Sequence, residues 1–199
     1  MASMPASQPS LFPDSASDAP EGFAYQPEMI TPDEETALAG RLAELPFVPF
    51  QFRGFEGRRR VVSFGWRYDF NGPGLVQAEP MPDWLRPLRD RAAAFAGVPL
   101  DDFAHVLINE YQEGAPIGWH RDRPAFEKVV GVSLLSPCVM RLRRRTEAGG
   151  FERRSIPLAP RSAYLLSGEA RNVWEHSIPE ARALRYSITF RNLRRAANT

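Results

Sequence analysis

From about residue 104 onward the chain is a succession of short β-type segments broken by turns, at 104–111, 129–136, 138–144, 151–158, 162–168 and 184–191. Two more such segments, 47–52 and 60–68, precede them. Many short strands at even spacing with few helices require a sandwich or barrel, because a doubly wound sheet needs a crossover helix between each pair of strands. The fold expected is therefore mainly β, with two buttressing helices. Thr31-Pro32-Asp33-Glu34 reads as a capping box with proline at the first helical position, and Leu38, Leu42 and Leu45 form one stripe behind it. A second helix is expected from Trp84 to Phe95, with Pro87 in its first turn and a stop at Gly97. Residues 1–22, rich in Pro, Ser, Ala and Asp, read as a disordered segment. Residues 23–199 then make one domain, a size that supports a single substantial core.

The chain has no apolar run of membrane-spanning length, and its first residues lack the basic and apolar regions of a secretory signal. Its one cysteine, Cys138, excludes an intrachain disulfide and suits a reducing compartment, so a cytoplasmic protein is expected. A net charge of +1 hides a gradient. Residues 1–40 carry seven acids and no Lys or Arg, whereas residues 139–199 carry thirteen arginines against five acids. That asymmetry suits a polyanionic partner for the C-terminal half.

Three residues carry the chemical signal. His120 and Asp122 are two apart, so on an extended segment both side chains point the same way. His176 is the only histidine downstream of them. Two imidazoles and a carboxylate match the facial triad of non-heme Fe(II) oxygenases, which leaves the opposite side of the metal open. Taken alone, an HxD pair is as easily a loop ion pair, because short motifs recur by chance. The segment 184–191 adds weight. Arg185, Ser187, Thr189 and Arg191 share one face, and Leu184, Tyr186, Ile188 and Phe190 share the other. Two guanidiniums and two hydroxyls in a row suit a dicarboxylate pocket. Asn109 and Tyr111 likewise face together and can hydrogen-bond carboxylate oxygens.

The joint order of Asn109 and Tyr111, His120 and Asp122, His176, then Arg185, Thr189 and Arg191 resembles the AlkB family of Fe(II)/2-oxoglutarate dioxygenases. The resemblance spans about residues 30–193. It implies a double-stranded β-helix, or jelly roll, with an N-terminal extension forming a substrate lid. It further implies iron held by His120, Asp122 and His176, and 2-oxoglutarate held by Asn109, Tyr111, Arg185, Ser187, Thr189 and Arg191. Arg185 would take the distal carboxylate and Arg191 the metal-chelating end. Two departures stand out. Many nucleic-acid repair members have Asn where this chain has Ser187. The nucleobase-demethylating bacterial type carries an acid two residues after the metal aspartate, where this chain has Pro124.

By the same resemblance the substrate is an alkylated base in DNA or RNA, dealkylated oxidatively with O2, and no obligate protein partner is evident. Phe64, Trp66 and Tyr68 alternate on what reads as one strand face behind Arg58, Arg59 and Arg60, a pattern suited to base stacking beside a phosphate track. Aromatic residues at period two also occur in any packed sheet. Arg121 and Arg123, flanking Asp122, are the candidates for phosphate contacts. Two alternatives remain open on sequence grounds: an AlkB-like oxygenase acting on protein or a small molecule, and a non-catalytic nucleic-acid-binding module.

Overall fold

The computed structural model describes residues 19–52, 54–69 and 74–194. In chain order its elements are β1 (Phe23–Gln26), α1 (Pro32–Ala43), β2 (Val48–Phe52), β3 (Phe55–Phe64), β4 (Trp66–Asp69), β5 (Gly74–Gln77), α2 (Arg86–Ala96) and β6 (His105–Tyr111). They continue with β7 (Ile117–His120), β8 (Phe126–Leu134), β9 (Cys138–Arg145), β10 (Phe151–Leu158), β11 (Ala163–Leu166), α3 (Gly168–Asn172), β12 (Glu175–Ile178) and β13 (Arg185–Leu193).

The strands form a jelly roll. A seven-stranded antiparallel sheet has the order β1-β11-β8-β13-β6-β3-β2, and a four-stranded sheet the order β10-β9-β12-β7. Strands β4 and β5 pair as a separate hairpin. One apolar core lies between the large sheet and the helices, where Leu42 of α1 and Leu88 and Ala92 of α2 meet Val106, Ile108, Val132, Ile188 and Phe190. A second lies between the two sheets, where Val129 and Leu166 meet Met140, Leu142, Ile156 and Leu158. Both faces of the large sheet are thus covered, and β13 is buried along almost its whole length. The alternation in β13 therefore does not separate core from solvent. It separates an apolar helix-facing side from a polar side turned toward the smaller sheet.

The helix ends follow the sequence. Thr31 Oγ1 accepts from the Glu34 N–H at 3.2 Å, and Glu34 Oε2 accepts from the Thr31 N–H at 2.8 Å. Glu34 also receives Arg91 Nη2 of α2 at 2.7 Å, which ties the two helices together. Helix α2 stops at Gly97, whose φ is +61°.

Three sequence expectations are corrected. First, the segment 1–22 is not wholly outside the fold: residues 1–18 lie outside the described residues, but 19–22 pack on the body. Pro20 is buried, and the Gly22 carbonyl accepts from both the N–H and the hydroxyl of Ser167, each at 2.9 Å. Second, 60–68 is not one strand. Gly65 has φ +74°, and a Cβ there would stand 2.0 Å from the Ala104 carbonyl oxygen. The chain therefore leaves the large sheet at Gly65 and enters the β4–β5 hairpin, so Phe64 and Trp66 belong to different sheets. Third, the structure adds β1, β5, β7 and β12, of four residues each, which lie outside the strand segments read from the sequence.

Two measurements check this framework. Gly65→Ala combines a strained φ with a backbone collision, and urea denaturation is expected to show a loss of about 2–3 kcal/mol. For Glu34, hydrogen bonds from Arg91 and then from the Thr31 N–H lower the carboxyl from 4.5 to about 2. A lowered carboxyl stabilises the fold fully above its unfolded value and loses that contribution as pH falls through the folded value. Glu34→Gln should thus cost about 1 kcal/mol at pH 7, an amount reduced by the pair's solvent exposure. The melting difference from the parent protein should vanish as pH is lowered from 5 to 2.

Candidate active site

The pairing of β12 with β7 creates the site. His176 and His120 are direct cross-strand partners, and their rings sit 4.2 Å apart, centroid to centroid, at 53°. His120 Nδ1 lies 2.9 Å from the Gly118 carbonyl. That contact makes Nδ1 the protonated nitrogen and leaves the Nε2 lone pair free for a metal. Asp122 is not on the strand. It follows the end of β7 in a loop, so the i, i+2 argument gives the right neighbours through a different backbone path. The loop is clamped from outside: Arg171 Nη2 of α3 donates to the Arg123 carbonyl and, at 2.9 Å, to that of Phe126. Arg194 Nε donates to the Pro124 carbonyl at 3.2 Å. The sequence reading missed Arg171, whose burial has no local signature.

Electrostatics suit metal binding. Burial, followed by the neighbouring His120, pushes His176 down to about 3, and burial likewise lowers His120. Both rings are neutral near pH 7 and present lone pairs. Burial opposes ionisation of Asp122, but the Arg191 charge, joined in acid by the protonated His176 and His120 rings, outweighs it and holds its carboxyl well below the usual carboxylate range. Arg191 Nη2 donates to Asp122 Oδ1 at 2.9 Å. As the side chains stand, no three His, Cys, Asp or Glu among the described residues form a cluster able to hold a metal ion. A three-donor shell at this place would take its carboxylate donor from Oδ2, the oxygen Arg191 leaves free.

Cross-strand register lays out the inner face of the large sheet in rows. Arg185 is opposite Tyr111, Ser187 opposite Asn109 and Ser133, Thr189 opposite Leu107 and Gly131, and Arg191 opposite His105 and Val129. Arg185, Ser187, Thr189 and Arg191 are all buried. Arg185 is 1% exposed and donates from Nη2 to Ser133 Oγ at 2.7 Å. Its Nε and Nη1, and those of Arg191, are buried without a hydrogen-bond partner among the described residues. A guanidinium left this way is costly unless an anion meets it. The donor set and the orphaned nitrogens therefore fit iron and a dicarboxylate.

A third guanidinium belongs to the same region. Arg59 is buried, donates from Nε to Asn109 Oδ1 at 3.1 Å and lies 3.7 Å over the Phe50 ring. In the sequence it is hidden inside a run of three arginines. Only pairing of β3 with β6 separates it from Arg58, which is exposed, and Arg60, which binds Glu110 at 2.7 Å.

A cleft of about 330 Å³ opens onto Asp122 and Arg191, with Phe50, Tyr68, His105 and Arg123 among its walls. Arg123 stands 4.5 Å over the Tyr68 ring. The expected aromatic triplet is not a unit. Phe64 packs into the helix-facing core, and of the three only Tyr68 lines the cleft. The break at Gly65 is the reason. Arg121 turns outward and donates to the Asn172 carbonyl at 3.4 Å. A second recess of about 290 Å³ lies elsewhere, and its Arg144, Glu152 and Glu169 are paired with one another.

A sequence profile for the 2OG-Fe(II) oxygenase superfamily matches residues 27–191. Uncharacterized protein L905 of Acanthamoeba polyphaga mimivirus is 26% identical, with 86% of this chain and 85% of that protein aligned. An Arabidopsis thaliana protein named alkylated DNA repair protein ALKBH8 homolog is 28% identical over 79% of this chain, which spans only 51% of that relative's length. The solved structure of OsALKBH1 superposes with a TM-score of 0.67 at 15% identity, covering 87% of this chain and 99% of that one, which establishes the likeness of fold. No helix among the described residues is long and apolar enough to cross a membrane. The chain belongs to the 2OG-Fe(II) oxygenase superfamily, within its AlkB family, and is an oxidoreductase that uses Fe(II) and 2-oxoglutarate as a dioxygenase.

Proposed function

We propose that this enzyme removes alkyl groups oxidatively from the nitrogens of nucleic-acid bases, with His120, Asp122 and His176 holding the iron. Arg185, Arg191, Asn109 and Tyr111 hold 2-oxoglutarate in this reading, aided by Ser187 and Thr189. The observation that carries it is the opposition of His120 and His176 beside Asp122, next to two buried guanidiniums with orphaned nitrogens. When bound, iron with 2-oxoglutarate and O2 supplies the oxidation: one oxygen atom goes to succinate as CO2 leaves, and the other goes to the N-alkyl carbon, which departs as an aldehyde. The chain's own contribution is orientation. His120 and His176 are neutral donors, the Gly118 carbonyl fixes the His120 tautomer, and Arg171 pins the loop that bears Asp122.

The cleft supports a flipped base as substrate. Its walls combine aromatic faces (Phe50, Tyr68) with cations (Arg67, Arg123), as stacking and phosphate contact require. The Arabidopsis relative's name, as an alkylated DNA repair protein homolog, points the same way. Pro124 favours a second reading, in which the substrate is an alkylated protein side chain or small molecule. A proline side chain offers no group to read a base edge, and its carbonyl is already taken by Arg194.

Purified protein with Fe(II), 2-oxoglutarate and N-methylated single-stranded oligonucleotides should yield formaldehyde and succinate in equal amounts. Turnover stimulated by a methylated peptide and not by any oligonucleotide would establish the second reading instead. The cofactor assignments are checked separately on Mn(II)-loaded protein. His176→Ala should abolish high-affinity metal binding in calorimetry. Arg185→Gln should weaken 2-oxoglutarate by about 100-fold, the scale of a lost charge-assisted pair.

A further inference from the structure

Tyr164 is a buried group that the site as described does not use. It lies on β11, directly opposite Gly131 of β8, and Gly131 is in turn opposite Thr189 of β13. A Cβ at Gly131 would stand 2.3 Å from Tyr164 Cζ and 2.4 Å from its hydroxyl oxygen. The phenol end therefore lies across the glycine, in the notch that a missing side chain leaves, and reaches from β11 toward β13 along the Thr189 row. That row runs between the two arginines: Ser187 and then Arg185 lie to one side, and Arg191 to the other.

The residue is 6% exposed, so its phenol is held among the side chains of the large sheet's inner face. Its hydroxyl feels the charges of Asp122, Arg185 and Arg191, while burial raises the phenol well above its ordinary value, so it remains a proton donor. A ligand with a carboxylate at each end, spanning Arg185 to the metal, would pass over this hydroxyl. Ser187 is too short to reach far into that space, which leaves a contact for a longer side chain to supply.

We propose that Tyr164 donates its hydroxyl hydrogen to 2-oxoglutarate between Arg185 and Arg191, and that Gly131 is the notch that lets it reach there. The inference rests on the assignment of those arginines to the cosubstrate. Its physical content is a pairing of two positions: the tyrosine is useful only with glycine opposite. Phe at 164 keeps the ring, its stacking with Phe23 at 6.5 Å and the filled notch, and removes only the donor.

The test is the dissociation constant of 2-oxoglutarate, measured by calorimetry on Mn(II)-loaded protein, so that turnover plays no part. Tyr164→Phe should raise it about tenfold, as the loss of a hydrogen bond to a charged acceptor does, with Mn(II) affinity and melting temperature unchanged. Gly131→Ala, which displaces the phenol, should weaken 2-oxoglutarate in the same direction. A Tyr164→Phe constant within twofold of the parent, while Arg185→Gln still weakens binding strongly, overturns the role of Tyr164 and leaves the arginine assignment standing. If Arg185→Gln also has no effect, the assignment itself falls and this inference falls with it.

Discussion

The register of one short strand pair governs this active centre. Strand β12 has four residues, and its pairing with β7 sets His176 opposite His120. Side chains alternate faces along a strand, so a slip of one residue would turn one imidazole away from the other. The register is held from several sides. Leu142 of β9 pairs with His176 on the far side of β12, within the inter-sheet core. Glu175, the preceding residue, is fixed on the outer face by Arg143 Nε at 2.7 Å, and Arg143 also lies 4.3 Å over the Trp119 ring beside His120. The outer face of the small sheet thus acts as a brace for the histidines on its inner face.

The second constraint is that the large sheet buries a polar stripe. Helices cover its other face, the stripe on β13 is buried toward the smaller sheet with the cleft opening at its Arg191 end, and its guanidiniums are satisfied only in part by the described residues. Such a stripe weakens the fold in isolation and makes sense as a charged lining awaiting an anionic partner. Asp122 meets part of the demand through Arg191, a contact that in the proposed reading joins the dicarboxylate end of the site to the metal end. Binding and stability are coupled there, since any anion that binds the folded chain stabilises it.

Legibility in the sequence followed element length and contact range. The capping box at Thr31, the stop at Gly97 and the polar face of β13 were visible because local chemistry or a long alternation encodes them. His120 and His176 stood out because the chain has only three histidines, and Asp122 because it stands two residues from one of them. Arg59, Arg171 and Tyr164 were not visible. Arg59 looked like its exposed neighbours, Arg171 gained its role from a loop about fifty residues earlier, and Tyr164 read as one more apolar strand residue. The aromatic triplet failed for the opposite reason. A regular alternation at Phe64, Trp66 and Tyr68 was read through Gly65, where the Ala104 carbonyl forbids a side chain and the strand breaks.

The amino-acid order by itself determined the class of fold, the start of α1, the stop of α2 and the candidate donors for iron and a dicarboxylate, because these depend on periodicity, capping and ligand chemistry that are local to the chain. Only the tertiary structure decided which arginine is buried, which aromatic lines the cleft and which tyrosine lies across a glycine. Those outcomes depend on cross-strand register between segments far apart in sequence, and no local pattern contains that information.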